Sequence, residues 1–236
     1  MVFVQESPEA GDWHVAGITW WSAAAYCNWL HNGKALTPEA FTSGAYDLST
    51  FGFDPAQGIY TDQTTRSPGA RYWIPSLDEW MKAAHYDPNR YGPGEGGWWE
   101  YSNSSDTAPV TGLPGVGETN AYLVQDIGLS AWDMAVGSYP NTQSPWGLLD
   151  VSGGASEWTE EWLFDERTDR LGDGAGIGDG NGVRQSNPDF IAYGGFATRP
   201  ASSLNHGLRV ASAIPTPGVG VPLLAAALLT ATRCRP

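Results

Sequence analysis

Residues 144–162 constrain the fold of this chain more than any other stretch. They read SPWGLLDVSGGASEWTEEW and bring small residues, carboxylates and tryptophans together. Three glycines in this stretch, Gly147, Gly153 and Gly154, lower helix propensity and allow the backbone to enter tight, left-handed turns. We therefore predict a looped corner walled by tryptophans.

Two carboxylates, Asp150 and Glu157, bracket the glycine pair. A backbone folded around these glycines would aim both carboxylates and several main-chain carbonyls at one point. Calcium takes carboxylate and main-chain oxygens together, so the pattern is compatible with a calcium site. A surface turn whose charges face water is the alternative, and spacing alone leaves both open.

Composition indicates a loop-rich fold with an aromatic core. The 236 residues are 41% hydrophobic and can bury one sizeable core, so we expect one domain. Thirty glycines, 17 prolines and 12 tryptophans accompany only 16% charged residues. Large aromatic rings bury much area each, which offsets a low content of regular structure.

Charge argues against a nucleic-acid partner. The formal net charge is −14 with only 12 lysines and arginines, whereas phosphate contacts need clustered basic residues. An acidic surface fits solubility or cationic partners. Residues 1–10 show no basic or apolar segment of a signal peptide.

Two helices carry clear end signals. Thr19 can cap a helix over residues 20–31 whose apolar stripe includes Cys27, and Asn32 with Gly33 supplies the stop. We interpret Cys27 as a small core residue in preference to a reactive thiol. Ser76 and Glu79 form a capping box for a second helix that Asp87 and Pro88 end.

The remaining segments are predicted as loops and short strands. We expect hairpin-like loops in residues 34–70, long ordered loops in 89–143, and short strands near 71–74, 190–196 and 206–211. The run GDGAGIGDGNG at 172–182 offers Asp173, Asp179 and Asn181 as oxygen ligands but lacks the EF-hand spacing, which favours a flexible insertion.

The C-terminal residues change character. IPTPG at 214–218 precedes an apolar run at 219–231 and two arginines. The run is shorter than the roughly 20 residues of a spanning helix, and a buried C-terminal helix is the alternative. The layout resembles the PEP-CTERM class of bacterial sorting signals, which an exosortase recognises and cleaves. That resemblance implies export to the cell envelope or beyond, an exosortase-type processing partner and transient membrane contact through 219–231.

Four blocks in order resemble the formylglycine-generating enzyme, or sulfatase-modifying factor, family. They are ITWW with AYCNWL (18–30), RYWIPSLDEW (71–80), VGSYP with WGLLDVSGGASEW (136–158), and YGGF with GLRVA (193–211). The resemblance implies a compact, loop-rich α+β fold related to C-type lectin-like folds, with few short helices and small antiparallel sheets. It also divides the chain into a truncated or irregular segment 1–14, a family domain 15–212, and a sorting or anchoring tail 213–236.

The same resemblance implies calcium in the corner. The family's ligands fall on a side-chain oxygen of Asp150, the main-chain oxygens of Gly153 and Ala155, and the carboxylate of Glu157. Gly154 stands where the family usually has asparagine. A second calcium is expected from Asn120 together with a downstream aspartate, for which Asp133 is the candidate.

The family's chemistry is not expected here. Its copper is held by two cysteines that follow the position of residues 194–196, and the chain has none between 194 and 213. Without thiolates there is no soft ligand pair for copper(I), so we expect no copper and assign no catalytic residue. His206 is interpreted as a satisfied polar residue, and Glu160 and Glu161 are expected to face solvent.

The leading hypothesis is an exported, calcium-stabilised, non-catalytic binding or structural module, in effect a pseudoenzyme. A peptide or a glycan in an aromatic-rich groove is the expected ligand. The first alternative is a metal-dependent oxidoreductase of altered mechanism related to formylglycine-generating enzyme. A degraded reading frame is the second. The ligand, cleavage of the tail, the true N-terminus and the oligomeric state stay open.

Overall fold

The computed structural model describes residues 17–121, 134–162, 170–173, 196–198 and 206–213. Its helices are α1 (Trp20–His31), α2 (Glu39–Thr42) and α3 (Leu77–His85). Its strands are β1 (Gly52–Asp54), β2 (Ile59–Thr61), β3 (Tyr72–Trp73), β4 (Tyr86–Gly92), β5 (Glu95–Trp98), β6 (Ser156–Trp162), β7 (Arg170–Asp173), β8 (Phe196–Thr198), β9 (His206–Gly207) and β10 (Ala211–Ser212).

Helix α1 begins and ends where its sequence predicts. The Thr19 hydroxyl oxygen accepts a hydrogen bond from the Ser22 amide at 2.9 Å, which satisfies one free donor of the first turn. At the other end the Asn32 amide donates to the Asn28 carbonyl, and Gly33 takes a φ of +68°. The predicted helix and both of its end signals are confirmed.

Helix α3 has the predicted capping box. The Ser76 hydroxyl accepts from the Glu79 amide at 3.1 Å, and the Glu79 carboxylate accepts from the Ser76 amide at 2.9 Å. The helix ends at His85, before the predicted Asp87 and Pro88 stop, because strand β4 begins at Tyr86.

The hairpin of β4 and β5 replaces part of the loop predicted for residues 89–143. The two strands pair antiparallel, with a register shift between Asp87 and Gly92 around Pro88. A Cβ atom on Gly96 would lie 2.2 Å from the Tyr86 hydroxyl, so a larger residue here would have to displace the Tyr86 side chain. The prediction was wrong here because glycine has a low strand propensity and hid the strand.

Three further small sheets lie in the described residues. Strands β1 and β2 form an antiparallel hairpin, and β3 pairs antiparallel with β10. The largest sheet has the order β8-β7-β6-β9, in which only the β6 and β9 pair is parallel. The predicted class is confirmed, since few helices and small, mostly antiparallel sheets make an α+β fold.

The main core joins α1 to β6. The Trp20 indole N–H donates to the Thr159 carbonyl at 2.9 Å, and the Trp158 indole N–H donates to the Ile18 carbonyl at 2.9 Å. Trp20 also meets Tyr46 edge-on at 5.4 Å between ring centroids. The buried members of this core are Trp20, Ala23, Ala24, Cys27, Ala45, Tyr46, Ile74 and Trp158.

Cys27 is a small core residue, as predicted. Its side chain is fully buried on α1. Burial, together with the charge of Glu160, raises the pKa of the Cys27 thiol to about 12. A thiol in this environment stays protonated and is shielded from solvent reagents.

A second, smaller core seats the corner on α3. Trp80 and Ala84 of the helix pack with Val151 of the corner, and Met81 and Leu148 pack against them. Within the described ranges, no helix reaches the length and apolar character that crossing a membrane requires. The apolar run 219–231 lies outside those ranges.

Candidate functional site

Residues 144–155 form the looped part of the predicted corner, but residues 156–162, which were also predicted as loop, form strand β6. Gly147, Gly153 and Gly154 take φ values of +77°, +75° and +71°. Asp150 is also left-handed, with φ of +56°, a conformation that aspartate tolerates better than most residues. Four left-handed positions explain why the chain turns sharply here, and strand β6 begins directly after the corner.

Asn120 packs directly against the glycine pair. Its side-chain oxygen accepts a hydrogen bond from the Gly154 amide at 2.9 Å. A Cβ atom added at Gly153 would lie 2.1 Å from the same oxygen. The predicted ligand of a second calcium therefore lies beside residues of the first predicted site. Asp133, its proposed partner, lies outside the described residues.

Glu157 is held from two directions. Its Oε2 accepts from the Trp80 indole N–H at 2.6 Å and from Nε of Arg209 at 3.0 Å. Its Oε1 accepts from Nη2 of Arg209 at 3.0 Å. The negative charge of Glu157 raises the pKa of Arg209. This is a two-pronged arginine–carboxylate pair, the geometry that arginine favours over lysine.

Arg209 also binds the backbone of the corner. Its Nη2 donates to the carbonyl oxygens of Leu149 and Asp150, each at 3.2 Å. The Asp150 carboxylate, in turn, accepts from the Gly137 amide at 2.8 Å. The corner is thus fixed by an arginine from the segment between β9 and β10. Arg209 belongs to the GLRVA block, but nothing in the sequence indicates that it pairs with Glu157.

A cavity of about 540 Å³ opens beside these groups. Asp150, Ala155, Glu157 and Arg209 contribute to its wall, and the rest is mostly apolar: Val136, Gly147, Leu148, Leu149, Gly207, Leu208 and Val210. Three of the four predicted calcium-ligand residues therefore surround one space, while Gly153 lies against Asn120.

The donors around this space are of the kind that calcium prefers, because carboxylate and carbonyl oxygens are hard ligands. Within the described ranges, no group of three or more His, Cys, Asp or Glu side chains is placed to hold a metal ion. A calcium ion here would depend on main-chain oxygens and would share Glu157 with Arg209. A carboxylate has about four lone-pair positions, which leaves room for such sharing.

Glu160 is buried, so the prediction that it faces solvent was wrong. Its side chain is only 5% exposed. Oε1 accepts from the Tyr46 hydroxyl at 2.7 Å and from the Arg66 amide at 2.8 Å, and Oε2 accepts from Nη1 of Arg66 at 3.0 Å. Burial raises the pKa of Glu160. Arg66, whose charge makes this burial possible, was not predicted from the sequence, because it lies 94 residues from Glu160.

Arg66 joins Glu160 to helix α3. Its guanidinium donates to both oxygens of Glu79, at 2.7 and 3.1 Å, and lies 4.3 Å from the ring centroid of Trp73. Glu161 is half-buried and accepts from the Leu77 amide at 2.5 Å, at the start of α3. Both glutamates therefore attach β6 to the neighbouring elements.

His206 lies inside the protein on β9. Its ring stacks on Trp158, with 4.2 Å between centroids and 20° between planes. Its main chain is in register with Ser156 of β6. Strand β8, Phe196–Thr198, marks the region where the resemblance places the missing cysteines. Residues 199–205 lie outside the described ranges, as does Cys234.

Comparisons with known proteins agree with the sequence blocks. The model of the FGE-sulfatase family, described as Sulfatase-modifying factor enzyme 1-like domain, matches residues 4–214. A comparison with curated protein sequences finds no significant match.

Two solved structures resemble the chain. The crystal structure of CarF aligns with a TM-score of 0.47 and 20% identity, over 84% of this chain and 66% of that one. Variable protein 1 of Treponema denticola aligns with a TM-score of 0.45 and 15% identity, over 90% of this chain and 74% of that one. Because the family model matches most of the 236 residues, the chain belongs to the sulfatase-modifying factor enzyme 1-like domain family.

Proposed function

We propose that this chain is a non-catalytic binding or structural module built on the family's fold. One observation carries the proposal. The sequence has two cysteines, and Cys27 is sealed in the main core on α1. Cys234 lies 38 positions after Phe196, where the strand begins near which the resemblance places the copper ligands. The chain thus lacks the thiolate pair that copper(I) needs there.

The carboxylates near the corner support the same proposal. Glu157 is bound to Arg209 and Trp80, and Glu160 is bound to Tyr46 and Arg66. Groups with so many structural contacts are poorly placed to exchange protons with a substrate. A general acid or base must reach the substrate within hydrogen-bonding distance.

Calcium stabilisation is the second part of the proposal. Asp150, Ala155 and Glu157 line one cavity, which supports a site that combines carboxylate and main-chain oxygens. The ion would neutralise the excess negative charge at the corner, where two carboxylates face one guanidinium. It would thereby strengthen the turn that Gly153 and Gly154 make.

The remaining parts concern the ligand and the location of the protein. Exposed aromatic side chains such as Trp146, which is 52% exposed on the corner, offer faces for a peptide or a glycan. The layout of residues 214–235 supports the proposed export, processing by an exosortase-type enzyme and transient membrane contact. A secreted form carrying the tail would be retained at the cell envelope until it is cleaved.

Oxygen consumption tests the absence of catalysis. Purified full chain would be loaded with copper or iron and given a thiol-containing peptide under oxygen, with Cys234→Ser as the control for tail thiol chemistry. We expect neither stoichiometric metal loading nor peptide-dependent oxygen uptake. Uptake that survives Cys234→Ser would overturn the proposal and favour the alternative, a metal-dependent oxidoreductase of altered mechanism.

Thermal melting tests calcium separately. Excess calcium should raise the melting temperature relative to a chelator, because an ion bound only by the native state stabilises it by about 2.7 kcal/mol at 100 times its Kd. Asp150→Ala and Glu157→Gln should each remove most of that shift, whereas Asp54→Ala, at the end of β1, should keep it. An equal shift in all three variants would exclude the corner as the site.

A further inference from the structure

One surface of the protein exposes an ordered aromatic cluster, which we call the aromatic platform and define as Tyr26, Trp29, Leu36 and Phe41. Leu36 is 91% exposed, Tyr26 is 44% exposed and Phe41 is 39% exposed. The ring of Trp29 lies 5.6 Å from that of Tyr26 and 6.2 Å from that of Phe41, nearly parallel to the latter. The three rings form one contiguous surface, and Leu36 lies in the short segment that joins α1 to α2, the two helices that carry them.

The platform is held rigidly by the fold. Tyr26 and Trp29 are three residues apart on α1, so they share a face of the helix. The Asn28 amide side chain donates to the Phe41 carbonyl at 3.1 Å, and that of Asn32 donates to the Ala40 carbonyl at 3.0 Å. These bonds fasten α2 to α1, so a partner would meet rings already in position. Preorganised surfaces lose less entropy on binding.

Basic groups border the platform. Lys34 follows α1 with a φ of +63°, and its amide donates to the Trp29 carbonyl at 2.8 Å. Its ammonium group lies 5.8 Å from the centroid of the Trp29 ring. Arg71 donates through Nη1 to the His31 carbonyl at 3.4 Å, at the end of the same helix. A chain with a net charge of −14 thus places Lys34 beside a ring of the platform and Arg71 at the end of the helix that carries two of the rings.

The chain leaves the described domain at the same end of α1. Ala213 follows β10 and donates to the Arg71 carbonyl at 3.4 Å. The Arg71 amide, in turn, donates to Nδ1 of His31, the last residue of α1, at 3.1 Å. The apolar run 219–231 begins six residues after Ala213, a spacing that spans at most about 20 Å.

We propose that the aromatic platform is a membrane-docking surface that lies on the lipid–water interface while residues 219–231 contact the bilayer. The inference rests on the proposed membrane contact of that run. Trp and Tyr concentrate at membrane interfaces, and lysine can extend its charge toward the headgroups while its stem covers apolar surface. Leu36, the most exposed aliphatic side chain of the platform, would enter the acyl boundary.

A spin label at residue 36 tests the docking directly. The test variant is the full chain with Cys234→Ser and Leu36→Cys. The control variant carries Cys234→Ser and Val116→Cys. Val116 is also exposed and lies in a loop that is hydrogen-bonded to Tyr139. Cys27 should not react with the label, because it is buried. With phosphatidylcholine vesicles we expect the label at 36 to become accessible to lipid-soluble oxygen and shielded from an aqueous nickel chelate. A label at 36 that stays in water on vesicle-bound protein would overturn the proposal.

Partitioning variants separate the platform from the tail. Leu36→Asp with Tyr26→Ser should lower partitioning onto the same vesicles by more than about tenfold, since burial of a leucine side chain alone is worth about that factor. Val116→Asp should leave it unchanged, and circular dichroism would verify that each variant is folded. Leu224→Asp, in the apolar run, should weaken binding independently.

The outcomes distinguish this inference from the proposed membrane contact. If Leu224→Asp abolishes binding and the platform variants bind like the unaltered chain, the platform proposal is wrong and the contact of 219–231 stands. If the unaltered chain does not bind vesicles, both are wrong. If the platform variants leave vesicle binding unchanged but lower the molar mass measured by light scattering, the surface joins two copies of this chain. The membrane proposal is then overturned.

Discussion

Arg209 binds both carboxylate oxygens of Glu157, from Nε to Oε2 and from Nη2 to Oε1, each at 3.0 Å. The two residues are 52 positions apart. The same guanidinium holds two main-chain carbonyls of the corner. The conformation of the corner and the position of the segment between β9 and β10 therefore depend on each other.

Replacing Arg209 by lysine should lower the free energy of unfolding by about 2 kcal/mol, since charged hydrogen bonds contribute about 1.5–3 kcal/mol each and the pair is partly exposed. Lysine keeps the charge but loses the planar fork. Urea unfolding measures the difference. Arg71→Lys, at an exposed site, is the matched control and should change stability by less than about 0.5 kcal/mol. Equal effects of the two substitutions would show that the fork is not what stabilises the corner.

Gly153→Ala should lower stability by about 3 kcal/mol or more, through left-handed strain and overpacking together. A Cβ at residue 153 would lie 2.1 Å from the Asn120 side-chain oxygen and 2.8 Å from the Thr119 hydroxyl. Gly115→Ala is the control, because Gly115 also has a positive φ, of +84°, yet nothing lies within 4 Å of its added Cβ. It should cost only about 1–2 kcal/mol. Equal denaturant midpoints for the two variants would contradict the packing of Asn120 on the corner.

Tyr46→Phe should lower stability by about 1–3 kcal/mol, because the phenol joins two buried partners that would lose a hydrogen bond. Its hydroxyl donates to Glu160 at 2.7 Å and accepts from the Ile74 amide at 3.1 Å. Tyr60→Phe, on the β1–β2 hairpin, should change stability by less than about 0.5 kcal/mol. Thermal and urea unfolding of the two variants measure the difference. If Tyr46→Phe left the stability unchanged, the hydrogen bond from the phenol would not stabilise the buried Glu160.

His85 should make stability depend on pH below neutrality. It is almost fully buried, and burial lowers its pKa from 6.5 to about 4. Between these values the unfolded chain binds a proton that the folded protein does not, so the free energy of unfolding falls as the pH drops from 6.5 to 4. The loss attributable to this residue is about 3 kcal/mol.

The measurement is a comparison of pH profiles of unfolding for the unaltered chain and His85→Leu. The difference between the two profiles should be constant above pH 7 and should shift in favour of the variant as the pH falls through the window. Comparing differences removes the contributions of other groups, including Glu160 and Glu161, whose pKa values burial raises. Parallel profiles would show that His85 is accessible to protons in the folded state.

Short-range sequence signals were sufficient to predict the helix ends and the glycine-rich corner. The caps of α1 and α3 use side chains within three residues of the amides they bind, so Thr19, Ser76 and Glu79 could be assigned from spacing. The left-handed corner was likewise predictable from its glycines. The family blocks then supplied the fold class, which no short-range pattern specifies.

The contacts that the sequence did not reveal are long-range. Glu160 was expected in solvent because a glutamate is rarely buried, and only partners 94 and 114 residues away make its burial tolerable. The pairing of Glu157 with Arg209 has the same character. A charged residue in a single sequence gives no sign of which opposite charge it will meet, so this part of the site required coordinates.

Strand β6 has a consequence for how the chain folds. Trp158 donates to Ile18 across 140 residues, and Trp20 donates to Thr159 across 139. Helix α1 therefore cannot complete the burial of Trp20 until strand β6, which ends at Trp162, has emerged from the ribosome. Such distant closures slow folding and leave apolar surface open to aggregation. We expect newly made chains to depend on protection by chaperones during that interval, and α1 to be the segment that they cover.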